Sequence, residues 1–292
     1  MLRKEDIQLR DPFVLPVEET GEYYLYGSTD KNIWRGPATG FDTYRSKDLE
    51  SWEGPFPAFR PGPDFWSDTQ YWASEVHRYQ GRYYMFATFK AEGVCRGTQI
   101  LVSDDPAGPF VPHSDGPVTP RDWECLDGTL YVDRSGRPWM VFCHEWVQVK
   151  DGEICAVPLT PSLDRADGEP VTLFSASQAP WVDPIREGDV YVTDGPFLYT
   201  CEDGALLMLW SSFKGGKYAQ GIARSTTGDV TGPWVQENEP LYESDGGHGM
   251  MFRAFDGRLF LALHTPNKTP DERPVFIELR EENGRLTTAS AV

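Results

Sequence analysis

Cysteines, basic residues and long apolar segments are all scarce in this chain. The five cysteines are an odd number and form no Cys-x-x-Cys pair, which argues against a disulfide framework and against a zinc site. No window of 18 apolar residues could form a transmembrane helix, and the first six residues lack the apolar segment of a secretory signal peptide. We therefore expect a cytoplasmic protein, with Cys143 and Cys155 as buried thiols; the alternative is a leader that has been removed.

Negative charge dominates the composition. Asp and Glu number 45 against 27 Lys and Arg, so the formal net charge is -18 at pH 7. Such a surface repels phosphate backbones and anionic lipids, so neither nucleic acid nor a membrane is expected as a partner. A neutral or cationic ligand is compatible with this charge.

One unit recurs five times along the 292 residues: an apolar stretch, a turn ending in glycine, and a strongly β-prone run. The turn glycines lie 53 to 68 residues apart: Gly21, Gly81, Gly136, Gly204 and Gly257. Apolar runs on both sides of such a turn indicate a β-hairpin, and a second, outer pair of strands follows each one. Five four-stranded units predict an all-β, five-bladed β-propeller around a central funnel, as one domain over residues 1–292. A β-sandwich is the alternative, but it does not predict five regularly spaced hairpins.

The innermost strand of each propeller blade begins beside the central axis, so the residues at these five starts should converge. Counting back nine or ten residues from each turn glycine gives a set that we treat as equivalent repeat positions: Asp11, Trp72, Asp127, Asp194 and His248. Any one of the aspartates alone is better explained as a turn former, because each precedes Pro or Gly. Their recurrence at the blade starts favours a shared funnel instead.

Cleavage of a glycosidic bond needs one protonated acid and one ionised base across the scissile bond. Crowded carboxyl groups push their pKa values apart, so that one can keep its proton at neutral pH. The indole of Trp72 offers a flat face to the C–H groups of a sugar ring. The predicted funnel therefore favours a sugar hydrolase.

Five short motifs in order carry a family resemblance: Arg10-Asp11-Pro12-Phe13, Trp72-Ala73-Ser74-Glu75, Leu126-Asp127-Gly128, Thr193-Asp194-Gly195-Pro196 and Gly246-Gly247-His248-Gly249. Together they resemble glycoside hydrolase family 43, whose members are five-bladed propellers that act with inversion. The resemblance implies a single catalytic domain in which Asp11 is the base that activates water. Asp127 would raise the pKa of the acid and orient it, and Asp194 would be the acid.

The same resemblance concerns His248. Members of the family often have a histidine at the central channel, sometimes near a bound calcium that it meets through water. We therefore expect no required cofactor, with calcium in the channel as an option and His248 as its water-mediated contact. A hydrogen-bonded structural histidine is the alternative.

The motif around Asp194 departs from the family pattern, because members usually carry Glu there and Asp is one methylene shorter. Glu145 is the alternative acid, although a contact to sugar hydroxyls is the favoured role for it. The other predicted substrate-binding residues are aromatic, cationic or polar: Trp34, Trp66, Trp72, Trp146, Arg224 and His248.

The sequence thus predicts an inverting exo-glycosidase on arabinose- or xylose-containing glycans, with an α-L-arabinofuranosidase as the leading subtype. A β-xylosidase or a galactan-directed glycosidase is the alternative within the class. A non-catalytic sugar-binding propeller is the alternative from another class, motivated by Asp194. A propeller that transfers sugars from sucrose-like donors is a weaker option. The expected partner in every case is an oligosaccharide or glycoside.

Overall fold

Five antiparallel sheets follow one another along the chain and form the blades of a β-propeller. The computed structural model describes residues 1–289, so the last three residues of the predicted domain lie outside it. Each blade is a contiguous stretch of chain whose strands pair in sequence order from the axis outwards, except for a short first strand at the outer edge of the first blade. The all-β, five-bladed prediction is confirmed.

The strands of the first two blades are β1 (Leu2–Arg3), β2 (Arg10–Val17), β3 (Glu22–Ser28), β4 (Phe41–Ser46) and β5 (Ser51–Phe59), then β6 (Thr69–Tyr79), β7 (Arg82–Ala91), β8 (Val94–Ser103) and β9 (Val111–Pro112). The third blade has β10 (Cys125–Val132), β11 (Pro138–His144), β12 (Glu153–Pro158) and β13 (Val171–Ser175). The last two have β14 (Asp194–Thr200), β15 (Leu206–Lys214), β16 (Lys217–Ser225) and β17 (Trp234–Gln236), then β18 (Gly247–Arg253), β19 (Leu259–Thr265), β20 (Arg273–Glu282) and β21 (Arg285–Thr288).

Helical structure is confined to single turns. The α-helix is α1 (Trp146–Val149), and two 3-10 turns span Lys4–Asp6 and Ala176–Gln178. In the part of the chain described here, no helix is long and apolar enough to cross a membrane.

The first blade differs from the predicted four strands, because β1 adds a fifth at its outer edge by pairing Leu2 with Trp52. The ring is closed by hydrogen bonds between the first and last blades rather than by a shared strand. The Leu9 N–H donates to the Glu272 carbonyl at 3.4 Å, and the Arg273 Nε donates to the Glu5 carbonyl at 2.8 Å. Both contacts lie close to the start of β2, so closure of the ring fixes the place where the innermost strand of the first blade begins.

Apolar side chains fill the spaces between blades, as the alternating strand pattern requires. Trp52 and Trp210 are fully buried in two of these clusters. Cys143 and Cys155 are buried free thiols, which confirms the sequence prediction. Burial of these large side chains makes the blades a rigid frame for the funnel.

A β-bulge interrupts every innermost strand near its funnel end. The pairing register shifts by one residue between positions 10 and 13, 72 and 75, 126 and 129, 194 and 197, and 247 and 250. The residue just inside each bulge has a φ between +48° and +57°: Asp11, Ala73, Asp127, Gly195 and His248. Bulges re-aim side chains near active sites, and a positive φ in a non-glycine residue is strained.

This register corrects the one inferred from residue counting. Asp11, Asp127 and His248 occupy equivalent positions, as predicted. Trp72 and Asp194 lie one residue earlier in their repeats, where the first blade has Arg10. Counting from the turn glycine missed this because hairpins of different length change the count without changing the pairing.

Candidate active site

The innermost strands open into a cavity of about 650 Å³ at the propeller axis. Its wall includes residues from all five blades: Arg10, Asp11, Trp34, Trp72, Asp127, Glu145, Trp146, Asp194, Tyr218 and His248. Predicted site residues from five separate segments are therefore brought together here. We call this cavity the funnel.

Asp11 is buried and held from three sides. The hydroxyl of Ser28 donates to its Oδ2 at 2.5 Å, and its backbone N–H donates to Nδ1 of His264 at 3.1 Å. Its Oδ1 lies 3.2 Å from Nδ1 of His248. Burial alone would raise the pKa of Asp11, but the positive charges of His248 and Arg10 lower it well below the usual range. Asp11 is therefore an ionised carboxylate.

His248 is the positive charge at the centre of the funnel. Its Nδ1 faces Oδ1 of Asp11 and lies 3.6 Å from Oδ2 of Asp127. Burial alone would lower the pKa of His248, but the two carboxylates raise it to about 10. The ring packs against Gly195, where a Cβ would come within 2.7 Å of the imidazole carbons. A glycine at that bulge therefore gives the imidazolium its room.

Asp127 and Asp194 form a pair of carboxyl groups beside His248. Oδ2 of Asp127 accepts the Gly195 N–H at 3.0 Å, and Oδ2 of Asp194 accepts the Tyr218 hydroxyl at 3.0 Å. Burial and the neighbouring charges of Asp194 and Asp11, against the opposing charge of His248, together raise the pKa of Asp127 to about 8. Burial and the charge of Asp11 also raise the pKa of Asp194. Interacting carboxyls titrate as a pair, so this pair keeps a proton at neutral pH.

The two members of the pair differ in access to the funnel. Asp127 is 5% exposed, whereas Asp194 is half-buried, and both line the funnel. A ligand in the funnel therefore meets Asp194 more directly than Asp127.

Glu145 forms a buried ion pair with Arg96 at the start of α1. The same guanidinium lies 4.3 Å from the ring centre of Trp72 and donates to Oε1 of Gln70 at 2.8 Å. Burial raises the pKa of Glu145, and the positive charge of Arg96 opposes that shift. Glu145 thus reaches the funnel as predicted, with its charge already paired.

Two tryptophans from loops complete the funnel wall. Trp34 is 45% exposed, and Arg10 lies 5.1 Å from its ring centre. Its ring meets Trp72 edge to face at 5.4 Å. Trp146 begins α1, and Arg186 lies 4.7 Å from its ring centre. The wall therefore offers flat aromatic surfaces of the kind that sugar rings contact.

Two predicted binding residues lie away from the funnel. Trp66 lines a separate cavity between the first two blades. Arg224 lies on β16, the third strand of its blade, where it pairs in register with Leu207 of β15. Its guanidinium donates to the Gly284 carbonyl at 2.5 Å. Residue type alone predicts a contact with substrate for both, but neither lies in the wall of the funnel.

Comparison with known proteins agrees with this geometry. The sequence profile described as glycosyl hydrolases family 43 matches residues 6–288. The chain belongs to glycoside hydrolase family 43. Membership of a glycoside hydrolase family favours an enzyme over the non-catalytic alternative.

Individual members of the family resemble the chain to different extents. A crystal structure of an endo-arabinase from Bacteroides thetaiotaomicron is 45% identical over 98% of this chain and 99% of its own, with a TM-score of 0.91. A xylosidase/arabinosidase from Bacteroides ovatus is 31% identical over 24% of this chain and 23% of its own length. Xylosidase/arabinosidase 43A from Humicola insolens is 33% identical over 28% and 24%. The chain thus aligns with about a quarter of each curated relative.

The predicted calcium contact can be tested on the chemistry of His248. Its ring is protonated at neutral pH, and an imidazolium has no lone pair to give to a metal. Its Nε2 is buried and has no hydrogen-bond partner among the residues that the structure describes, and when protonated it requires an acceptor. Within residues 1–289, no group of three or more His, Cys, Asp or Glu side chains is arranged to hold a metal ion. His248 therefore does not fit as a direct calcium ligand, and the water-mediated contact stays a prediction.

Sequence reasoning assigned no role to three residues that set the charges of this family 43 site. Tyr218, on the third strand of its blade, holds Asp194. His264 is fully buried and accepts from Asp11; burial and the charge of Arg10 lower its pKa to about 4, so it is neutral. Arg10 pairs with the buried Glu272 at 2.9 Å. Of these, Arg10 alone was in a quoted motif, as the neighbour of Asp11.

Proposed function

We propose that this chain hydrolyses α-L-arabinofuranosyl bonds in arabinose- or xylose-containing glycans, with inversion at the anomeric carbon and from the chain end. The observation that carries the proposal is the opposite charge state of two carboxyl environments in one funnel. The pKa of Asp11 is lowered, whereas those of Asp127 and Asp194 are raised. Separated pKa values at a site of this kind supply one base and one acid.

In the proposed reaction, Asp11 takes a proton from a water molecule as that water attacks the anomeric carbon. Asp194 gives its proton to the glycosidic oxygen as the bond from that oxygen to the anomeric carbon breaks. The products are a sugar with inverted configuration and a glycan shortened by that sugar. Asp11 ends protonated and Asp194 ionised, and exchange with solvent restores both.

The other residues act on these two groups. His248 keeps Asp11 ionised, and its raised pKa keeps the imidazolium in place through neutral pH. The charge of Asp194 raises the pKa of Asp127, so the two carboxyls hold one proton between them, and in the proposed reaction Asp194 delivers it. The Tyr218 hydroxyl donates to one carboxyl oxygen of Asp194 and so fixes the orientation of the carboxyl group. Trp34 and Trp72 would contact the faces of sugar rings.

A second candidate is internal cleavage of arabinan. It is favoured by the 45% identity over nearly the whole chain to a protein described as an endo-arabinase. The same two carboxyl roles would apply, because end-on and internal cleavage differ in the walls that surround the substrate and not in the bond chemistry.

The test is release of nitrophenol from a panel of arabinofuranoside, xyloside, galactoside and galactofuranoside, run beside Asp11→Ala and Asp194→Ala. Asp256→Ala, on an exposed turn, is the matched control because it removes a carboxylate outside the funnel. We expect turnover of the arabinofuranoside that both funnel variants lose and the control keeps. Wild-type turnover by Asp11→Ala would overturn its role as base.

Linear arabinan separates the two modes of cleavage. Release of arabinose alone from the start of the reaction supports end-on cleavage, whereas early oligosaccharides of several lengths support internal cleavage. Absence of turnover on the panel and on the polymer would contradict the proposal as a whole.

A further inference from the structure

A second cavity, of about 820 Å³, lies outside the funnel between the first and second blades. The loop from the end of β5 to the start of β6 forms one side, and the start of β8 with the segment after β9 forms the other. The start of an innermost strand and the start of a third strand both lie at the funnel end of a blade, because successive strands are antiparallel. This cavity, the side cavity, therefore opens on the same face as the funnel.

Trp66 is the aromatic wall of the side cavity. Its indole N–H donates to Oε1 of Gln99 at 2.6 Å, and Nε2 of Gln99 donates in turn to the Ser114 carbonyl at 2.9 Å. Phe65 packs edge to face against the buried Phe89 at 5.1 Å, beside it. The polar edge of the indole is thus satisfied inside the protein and the ring is fixed. A half-buried, preorganised aromatic ring facing a cavity is typical of a ligand platform.

The polar groups around this platform suit a neutral, hydroxyl-rich ligand. Its lining includes two cations, Arg60 and Arg121, and two carboxylates, Asp64 and Asp115. Hydrogen-bond donors and acceptors are therefore both present beside the apolar ring of Trp66. The funnel, in contrast, concentrates carboxylates for the reaction itself.

Arg96 joins the side cavity to the funnel. It lines the side cavity, while its guanidinium pairs with Glu145 and covers Trp72, both of which line the funnel. The residue is 8% exposed, and its Nε has no hydrogen-bond partner among the described residues. Arg96 thus belongs to the wall of the side cavity and contacts two residues of the funnel wall, which places the two cavities next to each other, so one extended ligand can follow both.

We propose that the side cavity, with Trp66 as its platform, is a second glycan-binding site that takes a distal stretch of the polymer whose reacting unit lies in the funnel. This rests on the proposed function, since the ligand class is taken from it. The continuity through Arg96 favours a glycan over an unrelated ligand such as a proline-rich peptide, which would gain nothing from proximity to the funnel.

Binding is tested without turnover, in the Asp11→Ala background, by retardation in gels that contain soluble arabinan or arabinoxylan. Trp66→Ala should weaken retention about threefold to tenfold, as expected for loss of one aromatic contact. Trp66→Phe should restore most of it, because it keeps a ring while losing the N–H. Phe255→Ala, which removes an aromatic ring that is 42% exposed on the last blade, is the matched control and should not change retention.

Catalysis by chains that carry Asp11 gives a second readout. Trp66→Ala should raise KM for the polymer and lower the ratio of kcat/KM on polymer to kcat/KM on the nitrophenyl glycoside, which fills only the funnel. Equal losses on both substrates, or loss of the thermal transition in Trp66→Ala and in Trp66→Phe, would show a structural role and overturn the inference.

The two proposals fail in different ways. An active enzyme whose polymer KM and gel retention are the same in Trp66→Ala overturns the second site and leaves the proposed function intact. A protein with no turnover and no retention on any glycan overturns both. Retention by a proline-rich peptide but not by glycans, abolished in Trp66→Ala, would overturn the glycan as occupant.

Discussion

Replacement of Tyr218 by Phe removes one hydroxyl from the funnel and should shift its pH profile in a known direction. That hydroxyl donates to Oδ2 of Asp194 at 3.0 Å and so favours the ionised carboxylate. A hydrogen bond to a charged group is worth about 1.5–3 kcal/mol, and one pKa unit corresponds to about 1.4 kcal/mol. Tyr218→Phe should therefore raise the pKa of the acid by about one to two units. The acid then stays protonated to higher pH.

The assay is the pH dependence of kcat/KM on the best nitrophenyl glycoside, because its basic limb reports the acid of the free enzyme. We expect the basic limb to move up and the acidic limb, set by Asp11, to stay. Tyr199→Phe is the matched control, since it removes a hydroxyl that donates to Glu281 at 2.8 Å, at the end of β14 opposite to Asp194. A basic limb that stays in place or moves down in Tyr218→Phe would refute the reasoning. A shift in the control as well would show that the effect does not arise in the funnel.

Three further predictions concern the acid, the buried ion pair and the central imidazolium. Asp194→Asn should lower turnover of natural linkages by about 10²–10⁴-fold and that of a dinitrophenyl glycoside much less, because this leaving group needs no proton; equal losses would redirect the search to Glu145. Arg96→Leu should lower the free energy of unfolding by about 3–5 kcal/mol, because it leaves Glu145 buried and unpaired. Addition of Glu145→Leu should recover part of this loss, as measured in thermal melts. A double variant no more stable than Arg96→Leu alone would contradict the prediction. The pKa of His248 is raised from about 6.5 in the unfolded chain to about 10 in the folded protein. The stability that its proton contributes is therefore fully present below the unfolded pKa and is lost as the pH rises to about 10. The melting temperature should fall between those two pKa values, and it should fall less steeply in His248→Asn. An equal fall with pH in the two proteins would count against a protonated His248 in the folded state.

Much of the fold could be predicted because the repeats carry their own turn chemistry. The five turn glycines that mark the hairpins all adopt a positive φ, between +64° and +88° in the structure. Short hairpin turns require that conformation, so glycine at a fixed place in each repeat is a direct signal of the blade. The strand β1 was not predicted, because two residues are too few to show an alternating pattern.

The site was predictable to the extent that it follows the repeat. Asp11, Asp127 and His248 share one position in three blades, and that position was found by counting. Asp194 and Trp72 were assigned to it although they lie one residue earlier, because a bulge is visible only in the pairing of two strands.

The partners of these residues could not be found in the same way. Tyr218 and Arg96 lie on the third strands of their blades, and their side chains reach the funnel across a neighbouring strand or blade. No repeat position marks such residues, and residue type alone selects too many. The same limit explains Trp66 and Arg224, which have suitable side chains at positions that do not face the axis.

The different charge states of the three aspartates follow from the position of one imidazolium and one guanidinium. Nδ1 of His248 lies 3.2 Å from Asp11 and 3.6 Å from Asp127. Arg10 is among the main causes that lower the pKa of Asp11, but not among those that shift the pKa of Asp127. Asp127 instead has Asp194 as its neighbour, so the second carboxyl of that pair is penalised when both ionise. Arg10 is itself held by Glu272, which lies on the last blade beside the closure of the ring. The base is thus kept ionised by contacts that exist only when the first and last blades meet. Glu272→Ala removes the partner that holds Arg10 beside Asp11. It should therefore move the acidic limb of the pH profile to higher pH as well as lower stability, whereas a purely structural role would lower stability alone.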